Sequence, residues 1–129
     1  MTQPAISVII PVFNAKRTLA NALQSVWQQT YPAHEVLVID GGSTDGTIEL
    51  IQANQSRINY WISEPDRGVY DAINKGIRKA TGDWIYILGS DDVMASNDVF
   101  EVISEHLNAS VSLVFGSVQN VNIRQSMVP

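Results

Sequence analysis

The chain contains no cysteine. Neither a disulfide framework nor a cysteine-ligated zinc site can form, and a reducing compartment is permitted. Positive charge is scarce as well: 8 Lys and Arg stand against 13 Asp and Glu, for a formal net charge of -5. Proteins that grip a nucleic-acid backbone depend on clustered cations, so this balance argues against nucleic acid as a partner. Long hydrophobic runs are missing too. The apolar stretch Ile6 to Val12 is far too short to span a bilayer, and Met1-Thr-Gln-Pro4 has no basic segment of the kind that opens a signal peptide. The expectation is a soluble protein, or a soluble part of one. No internal repeat, linker or low-complexity stretch interrupts the chain. Its 129 residues, 45% of them hydrophobic, suit one domain with its own core.

What is present alternates between two periodicities. Ile6-Ser-Val-Ile-Ile-Pro-Val12 is a β-branched run closed by the turn-prone Asn14, the signature of a buried strand in a parallel sheet. Leu19, Ala22, Leu23, Val26 and Trp27 then recur at helical spacing until Tyr31-Pro32. Glu35 to Asp40 predicts a second strand, Ile48 to about Ala53 a helix, and Ile58 to Ser63 a third strand. Val69, Ala72, Ile73, Gly76, Ile77 and Ala80 predict a helix stopped at Thr81-Gly82. Trp84 to Leu88 predicts a fourth strand, the spacing of Val99, Phe100, Ile103 and Leu107 a fourth helix, and Val111 to Phe115 a fifth strand. Strands alternating with helices imply an α/β fold, a mainly parallel, doubly wound sheet with helices on both faces. Ligands of such sheets bind beyond the carboxyl ends of the strands, where strand order reverses. That rule selects Pro11 to Asn14, Asp40 to Asp45, Glu64 to Gly68 and Gly89 to Asp92.

Three of these segments carry residue types suited to chemistry. Asp91-Asp92 sets two carboxylates side by side at a strand end, a repulsive arrangement that a hard cation relieves. Mg²⁺ or Mn²⁺ prefers such oxygens together with water and phosphate, and the competing reading is a solvated turn that caps the next element. In Asp40-Gly-Gly-Ser-Thr-Asp-Gly46 the glycines permit close approach of a ligand, and Asp40 can accept hydrogen bonds from a base or ribose. The competing reading is a strand-to-helix turn capped by Ser43, Thr44 or Asp45, and Asp45 is expected to be structural. The loop is not a Walker A motif, since it lacks the Gly-Lys-Ser/Thr ending. In the third segment Arg67, or Lys75 just beyond it, could neutralise phosphate, the alternative being an ordinary polar loop. His34 and His106 fit no ligand spacing, Trp27 and Trp84 sit in core patterns, and Trp61 fits either role.

Taken in order, these segments resemble the family 2 glycosyltransferases, whose fold is GT-A. Ile6-Ser-Val-Ile-Ile-Pro-Val-Phe-Asn14 resembles that family's opening strand, Ser25-Val-Trp-Gln-Gln-Thr30 its first-helix ending, and Val36-Leu-Val-Ile-Asp-Gly-Gly-Ser-Thr-Asp-Gly-Thr47 its second-strand signature. Asn74-Lys-Gly-Ile77 and Thr81-Gly-Asp-Trp-Ile-Tyr-Ile-Leu-Gly-Ser-Asp-Asp92 resemble the approach to its metal-binding DXD motif. Asp-Gly-Gly-Ser with Ser63-Glu-Pro-Asp-Arg-Gly68 is similar to the branch that builds bacterial surface polysaccharides. Two positions depart from the pattern. A second Asp that contacts uracil is replaced by Gly41, and the first Asp of the metal motif is Gly89. The resemblance implies an inverting transfer from a nucleoside-diphosphate sugar to a glycan or lipid-linked acceptor, with Mg²⁺ or Mn²⁺ as cofactor. It gives Asp92 to the metal and Asp91 to the ribose or metal region. Pro11, Phe13, Asn14, Asp40, Gly41, Arg67 and Lys75 complete the expected nucleotide-sugar site. The implied setting is cytoplasmic, with peripheral association at the inner face of a membrane. The family's general base lies well beyond the metal motif, so residues 1–129 are expected to form a donor-binding domain without the acceptor-binding part. Two rivals remain. One is a non-catalytic nucleotide-sugar-binding module; the other, a receiver-like signalling domain, needs a late Lys, and none follows Lys79.

Overall fold

The computed structural model describes residues 3–108 and 110. Aliphatic side chains fill Ile6–Val12, strand β1, and all 7 of its residues are buried. A central parallel strand is covered on both faces, which is why its sequence reads as a continuous apolar run. Strands β2 (Glu35–Asp40), β3 (Tyr60–Ser63) and β4 (Trp84–Ile87) join it in the order β3-β2-β1-β4, every pair parallel. Helices α1 (Leu19–Trp27), α2 (Thr47–Ala53) and α3 (Val69–Lys79) connect successive strands, and α4 (Val99–Ser104) follows β4. This is the α/β architecture anticipated from the alternating pattern.

Period-two alternation sorts the strand residues between two layers. Ile6, Val8, Ile10, Val12, Val36 and Val38 pack with Leu19, Ala22, Leu23 and Val26 of α1, Ile51 of α2 and Phe100 of α4. On the opposite face Ile9, Leu37 and Ile39 pack with Ala72 of α3. Helix α3 lies very close to the sheet because it has no side chain at Gly76, where a Cβ would sit 2.7 Å from Cγ2 of Ile9. Tyr86 of β4 meets Phe100 edge to face, ring centroids 5.1 Å apart.

The ends of elements differ from the sequence expectation by one residue at the start of α2 and the end of α3, and more tellingly at β3, β4 and α4. Strand β3 begins at Tyr60 rather than Ile58, because residues Gln55–Arg57 form a 3-10 turn and the Asn59 side chain accepts from the N–H of Val36. Strand β4 stops at Ile87, although the N–H of Leu88 still donates to the Ile9 carbonyl at 3.0 Å. Helix α4 ends at Ser104, so Leu107 is buried from beyond its end. The fifth strand expected over Val111 to Phe115 lies outside the described residues.

All strands being parallel, their carboxyl ends share one edge. Strand order reverses at β1, which has β2 and β3 to one side and β4 to the other. Register places Val12, Asp40 and Ser63 in a single row along that edge. The opposite edge is tied by Glu35, whose Oε2 accepts from Ser7 Oγ at 2.7 Å, the Thr81 N–H at 2.5 Å and Thr81 Oγ1 at 3.1 Å. Burial pushes the Glu35 carboxyl up, but the hydrogen bonds from Thr81 and Ser7 outweigh it and hold the group below its ordinary value.

Candidate functional site

Asp40 ends β2 and is completely buried. Its Oδ2 accepts from the N–H groups of Gly42 at 3.0 Å and Ser43 at 2.8 Å and from Ser63 Oγ at 2.8 Å, while Ser43 Oγ donates to Oδ1 at 2.5 Å. A buried carboxylate is tolerable when its lone pairs are filled in this way. The expectation that Asp40 faces a base or ribose is corrected: the carboxylate is spent inside the loop it organises. Ser43 Oγ in turn accepts from the Asn14 N–H at 2.7 Å, and Asn14 Oδ1 accepts from the Thr44 N–H at 2.9 Å. Asn14 holds φ 49, a left-handed conformation that Asn adopts more readily than most residues. Asp45 accepts from the side chain and N–H of Thr47 and from the N–H of Lys16, and these bonds, led by that of the Thr47 hydroxyl, keep its carboxyl below the usual range. The exit of β1 is thus stitched to the loop after β2, and Phe13 is left standing 62% exposed at the rim.

Across the switch point the loop after β4 brings in the acidic pair. A Cβ at Gly89 would lie 2.7 Å from Asp92 Oδ2 and 3.3 Å from Asp91 Oδ1, so both carboxylates converge on the bare backbone of Gly89. An Asp at 89, as in the usual metal motif, would displace the Asp92 side chain. Both acids are exposed, and among the described residues neither has a cationic partner. Asp92 also approaches Tyr86, whose hydroxyl is pushed up by burial first and by the Asp92 charge second.

Two open clefts meet at Asp91. One, of about 470 Å³, runs between the end of β1 (Pro11, Val12, Phe13) and the start of α3 (Val69, Ala72), with Gly41 and Asp66 at one side and Gly89, Ser90 and Asp91 at the other. The second, of about 730 Å³, lies beyond Phe13 and Asn14 and is lined by Lys16, Arg17, Thr18, Asp45, Ser90 and Asp91. Of the residues singled out from sequence, Pro11, Phe13, Asn14, Gly41 and Asp91 line these clefts, whereas Asp40 and Asp92 do not. Asp92 sits beside Asp91 over Gly89, just behind the junction.

Arg67 and Lys75 are not brought to either cleft. Lys75 Nζ lies 2.8 Å from Glu64 Oε2 and 4.0 Å from Asp71 Oδ2 and donates to the Pro65 carbonyl, so its charge is already answered. The hydrogen bond to Glu64 raises its pKa, and burial opposes the rise only in part. Arg67 contributes its backbone N–H to Asp71, and its side chain is not part of the cleft lining. Lys16 and Arg17 instead supply cations beside Asp91. Their nearness to the end of β1, two and three residues after Asn14, is the signal that could have found them. Asp66 was likewise missed because it lies in a Pro-containing loop with no periodicity.

The family model described as glycosyl transferase family 2 matches residues 7–125. The chain belongs to that family. A PGL/p-HBAD biosynthesis glycosyltransferase of Mycobacterium tuberculosis is 36% identical over 125 residues, covering 92% of this chain and 48% of that protein. The Escherichia coli UDP-Glc:alpha-D-GlcNAc-diphosphoundecaprenol beta-1,3-glucosyltransferase WfgD is 33% identical over 118 residues, covering 91% and 47%. The mannosyltransferase PcManGT from Pyrobaculum calidifontis, solved in complex with GDP-Man and Mn²⁺, superimposes with a TM-score of 0.75 at 26% identity, over 86% of this chain and 34% of that one. The fold is therefore GT-A-like, and the chain spans about half the length of the curated relatives it matches. Among the described residues no helix is long and apolar enough to cross a membrane.

Proposed function

We propose that these residues form the nucleotide-sugar-binding part of an inverting glycosyltransferase, which moves a sugar from a nucleoside diphosphate to a hydroxyl of a glycan or lipid-linked acceptor. The observation that carries this reading is the convergence of Asp91 and Asp92 over Gly89 at the switch point, where two clefts meet. Two relatives support the donor class: WfgD is named for UDP-Glc, and PcManGT was solved with GDP-Man. WfgD is also named for a diphosphoundecaprenol acceptor, which supports a lipid-linked acceptor and, with it, peripheral association with a membrane.

The acidic pair fits a divalent cation. Two exposed carboxylates without a cationic partner among the described residues are hard oxygen donors, and Mg²⁺ and Mn²⁺ are commonly held by one or two carboxylates completed by water and substrate phosphates. Among the described residues no third acidic or histidine side chain joins them, a donor set that would leave the rest of the shell to phosphate oxygens and water. Asp91 and Asp92 would hold the ion, which would supply Lewis-acid stabilisation of the departing diphosphate. The chain's own residues do the rest. Phe13, Pro11 and Val12 exclude water from one wall of the nucleoside cleft. Lys16 and Arg17 offset phosphate charge from the neighbouring cleft, an attraction that is modest because both side chains are exposed and screened.

Calorimetric titration with UDP, GDP and dTDP and their sugars, with and without Mn²⁺, tests the reading. Binding that strengthens at least about tenfold with Mn²⁺, equal to ~1.4 kcal/mol, is the expected result. Equal binding with and without the ion, or no binding of any of these compounds, contradicts it.

A further inference from the structure

We infer that Asp66 selects the base of the donor, accepting the ring N–H of a nucleobase that carries one (uracil, thymine or guanine) and rejecting cytosine and adenine. The inference deepens the donor-site reading and rests on it. It starts from a close contact: a Cβ built on Gly41 would lie 2.8 Å from Asp66 Oδ2 and 3.0 Å from Asp66 Oδ1. The carboxylate of one loop is therefore seated on the bare Cα of another, a packing that only glycine at 41 allows. Gly41 does not need its own freedom of backbone, since its φ lies outside the left-handed range.

The seat is at the far side of the nucleoside cleft from Asp91, between the walls formed by Pro11 and Val12 on one hand and Val69 and Ala72 on the other. Asp66 Oδ1 accepts from the Gly68 N–H at 3.0 Å, which fixes the direction of the group. Among the described residues Oδ2 has no hydrogen-bond donor and forms no salt bridge, the nearby Lys75 ammonium being engaged by Glu64. In a cleft whose walls are mostly apolar, a fixed carboxylate oxygen is an acceptor aimed at a flat ring between those walls. Uracil and thymine offer N3–H there, and guanine offers N1–H beside its amino group. Cytosine N3 and adenine N1 offer a lone pair instead, and two facing acceptors in a partly dehydrated cleft repel each other. The diphosphate would then extend toward Asp91, the end assigned to the metal, so base reading and phosphate binding would use opposite ends of one cleft.

Two substitutions test the assignment. Asp66→Asn turns one acceptor oxygen into an amide donor of nearly the same shape, and Gly41→Ala leaves Asp66 in place but pushes its carboxylate off the seat. Affinities for UDP, dTDP, GDP, CDP, ADP and inorganic pyrophosphate are measured with Mn²⁺ by calorimetry, with thermal melts to verify folding. The expected wild-type result is a preference of about tenfold or more for at least one ring-N–H nucleotide over CDP and ADP. Asp66→Asn reduces that ratio about tenfold or more, losing affinity for the preferred nucleotide and gaining some for CDP, with pyrophosphate binding unchanged. Gly41→Ala gives the same loss of discrimination with Asp66 still present. If both variants fold and keep the wild-type ratio, or weaken pyrophosphate as much as every nucleotide, Asp66 does not read the base. Nucleoside diphosphates bound without base preference also overturn the assignment while leaving the donor site standing. If the wild type binds no nucleoside diphosphate at all, the donor-site reading and this inference fall together.

Discussion

At the scale of single residues, hydrogen bonding separates carboxylates spent within the fold, such as buried Asp40 and exposed Asp45, from Asp91 and Asp92, to which the proposed function gives the ligand role. Asp40 holds four donors in a dehydrated pocket, so Asp40→Asn leaves hydroxyl and N–H donors facing an amide NH₂. A cost of about 1–3 kcal/mol is expected, read as a lower midpoint in urea unfolding with little change in slope. Asp92→Asn has the reverse signature. Relief of its repulsion with Asp91 leaves the metal-free protein equally stable or slightly more so, and the effect of Mn²⁺ on nucleotide binding falls. A variant that melts earlier yet keeps the full Mn²⁺ effect makes Asp92 a cap and not a ligand. That Pro11, Phe13, Asn14, Gly41 and Asp91 line the clefts was legible in the sequence because each lies at or just beyond the carboxyl end of a strand. The sequence could not tell that Asp40 turns inward, since Gly42 and Ser43 of its own loop close on it as a local turn while Ser63, the remaining partner, is brought beside it only by the register of β2 with β3. Nor could it foresee that Glu64 engages Lys75, because that ion pair depends on how α3 follows the preceding loop.

At the scale of elements, strands β1 and β2 run where the patterns of Ile6 to Val12 and Glu35 to Asp40 place them, because uninterrupted β-branched runs leave little ambiguity. Ends governed by side-chain to backbone bonds were less legible, as at Asn59 and at Thr81, where a carboxylate from β2 takes the N–H. Helix α3 carries a test of packing. Gly76→Ala gains about 0.5–1 kcal/mol of helix propensity, but its methyl enters the space of Ile9, and overpacking of that kind costs about 1–3 kcal/mol. Overpacking wins, so thermal melting should occur at a lower temperature; a stabilised variant would mean that α3 can lift from β1 freely. Glu35 tests the opposite edge. Its carboxyl is held below its ordinary value, so its contribution to stability is complete above the unfolded glutamate range, about 4.3, and is lost as pH falls through the folded value. The stability difference between wild type and Glu35→Gln should therefore be constant near neutral pH and shrink in acid. A difference that grows in acid contradicts that sign.

At the scale of the whole molecule, a chain of net charge -5 presents two carboxylates at the very edge where its fold binds ligands. An anionic diphosphate approaches such a surface only with help, and among the described residues the cations that line the clefts are the exposed Lys16 and Arg17. Replacing both with alanine should weaken nucleoside diphosphate binding by roughly twofold to fivefold at low salt and by less at high salt. A salt-independent loss would point to packing in place of charge. Under the proposed function the larger part of the attraction would come from a divalent cation held by Asp91 and Asp92. The most direct test is the affinity for a nucleoside diphosphate with and without Mn²⁺, compared between wild type and Asp91→Asn. The account predicts a Mn²⁺ enhancement of about tenfold or more in the wild type that collapses in the variant, with metal-free affinity unchanged or slightly improved as one negative charge is removed. An enhancement that survives Asp91→Asn undiminished would contradict it.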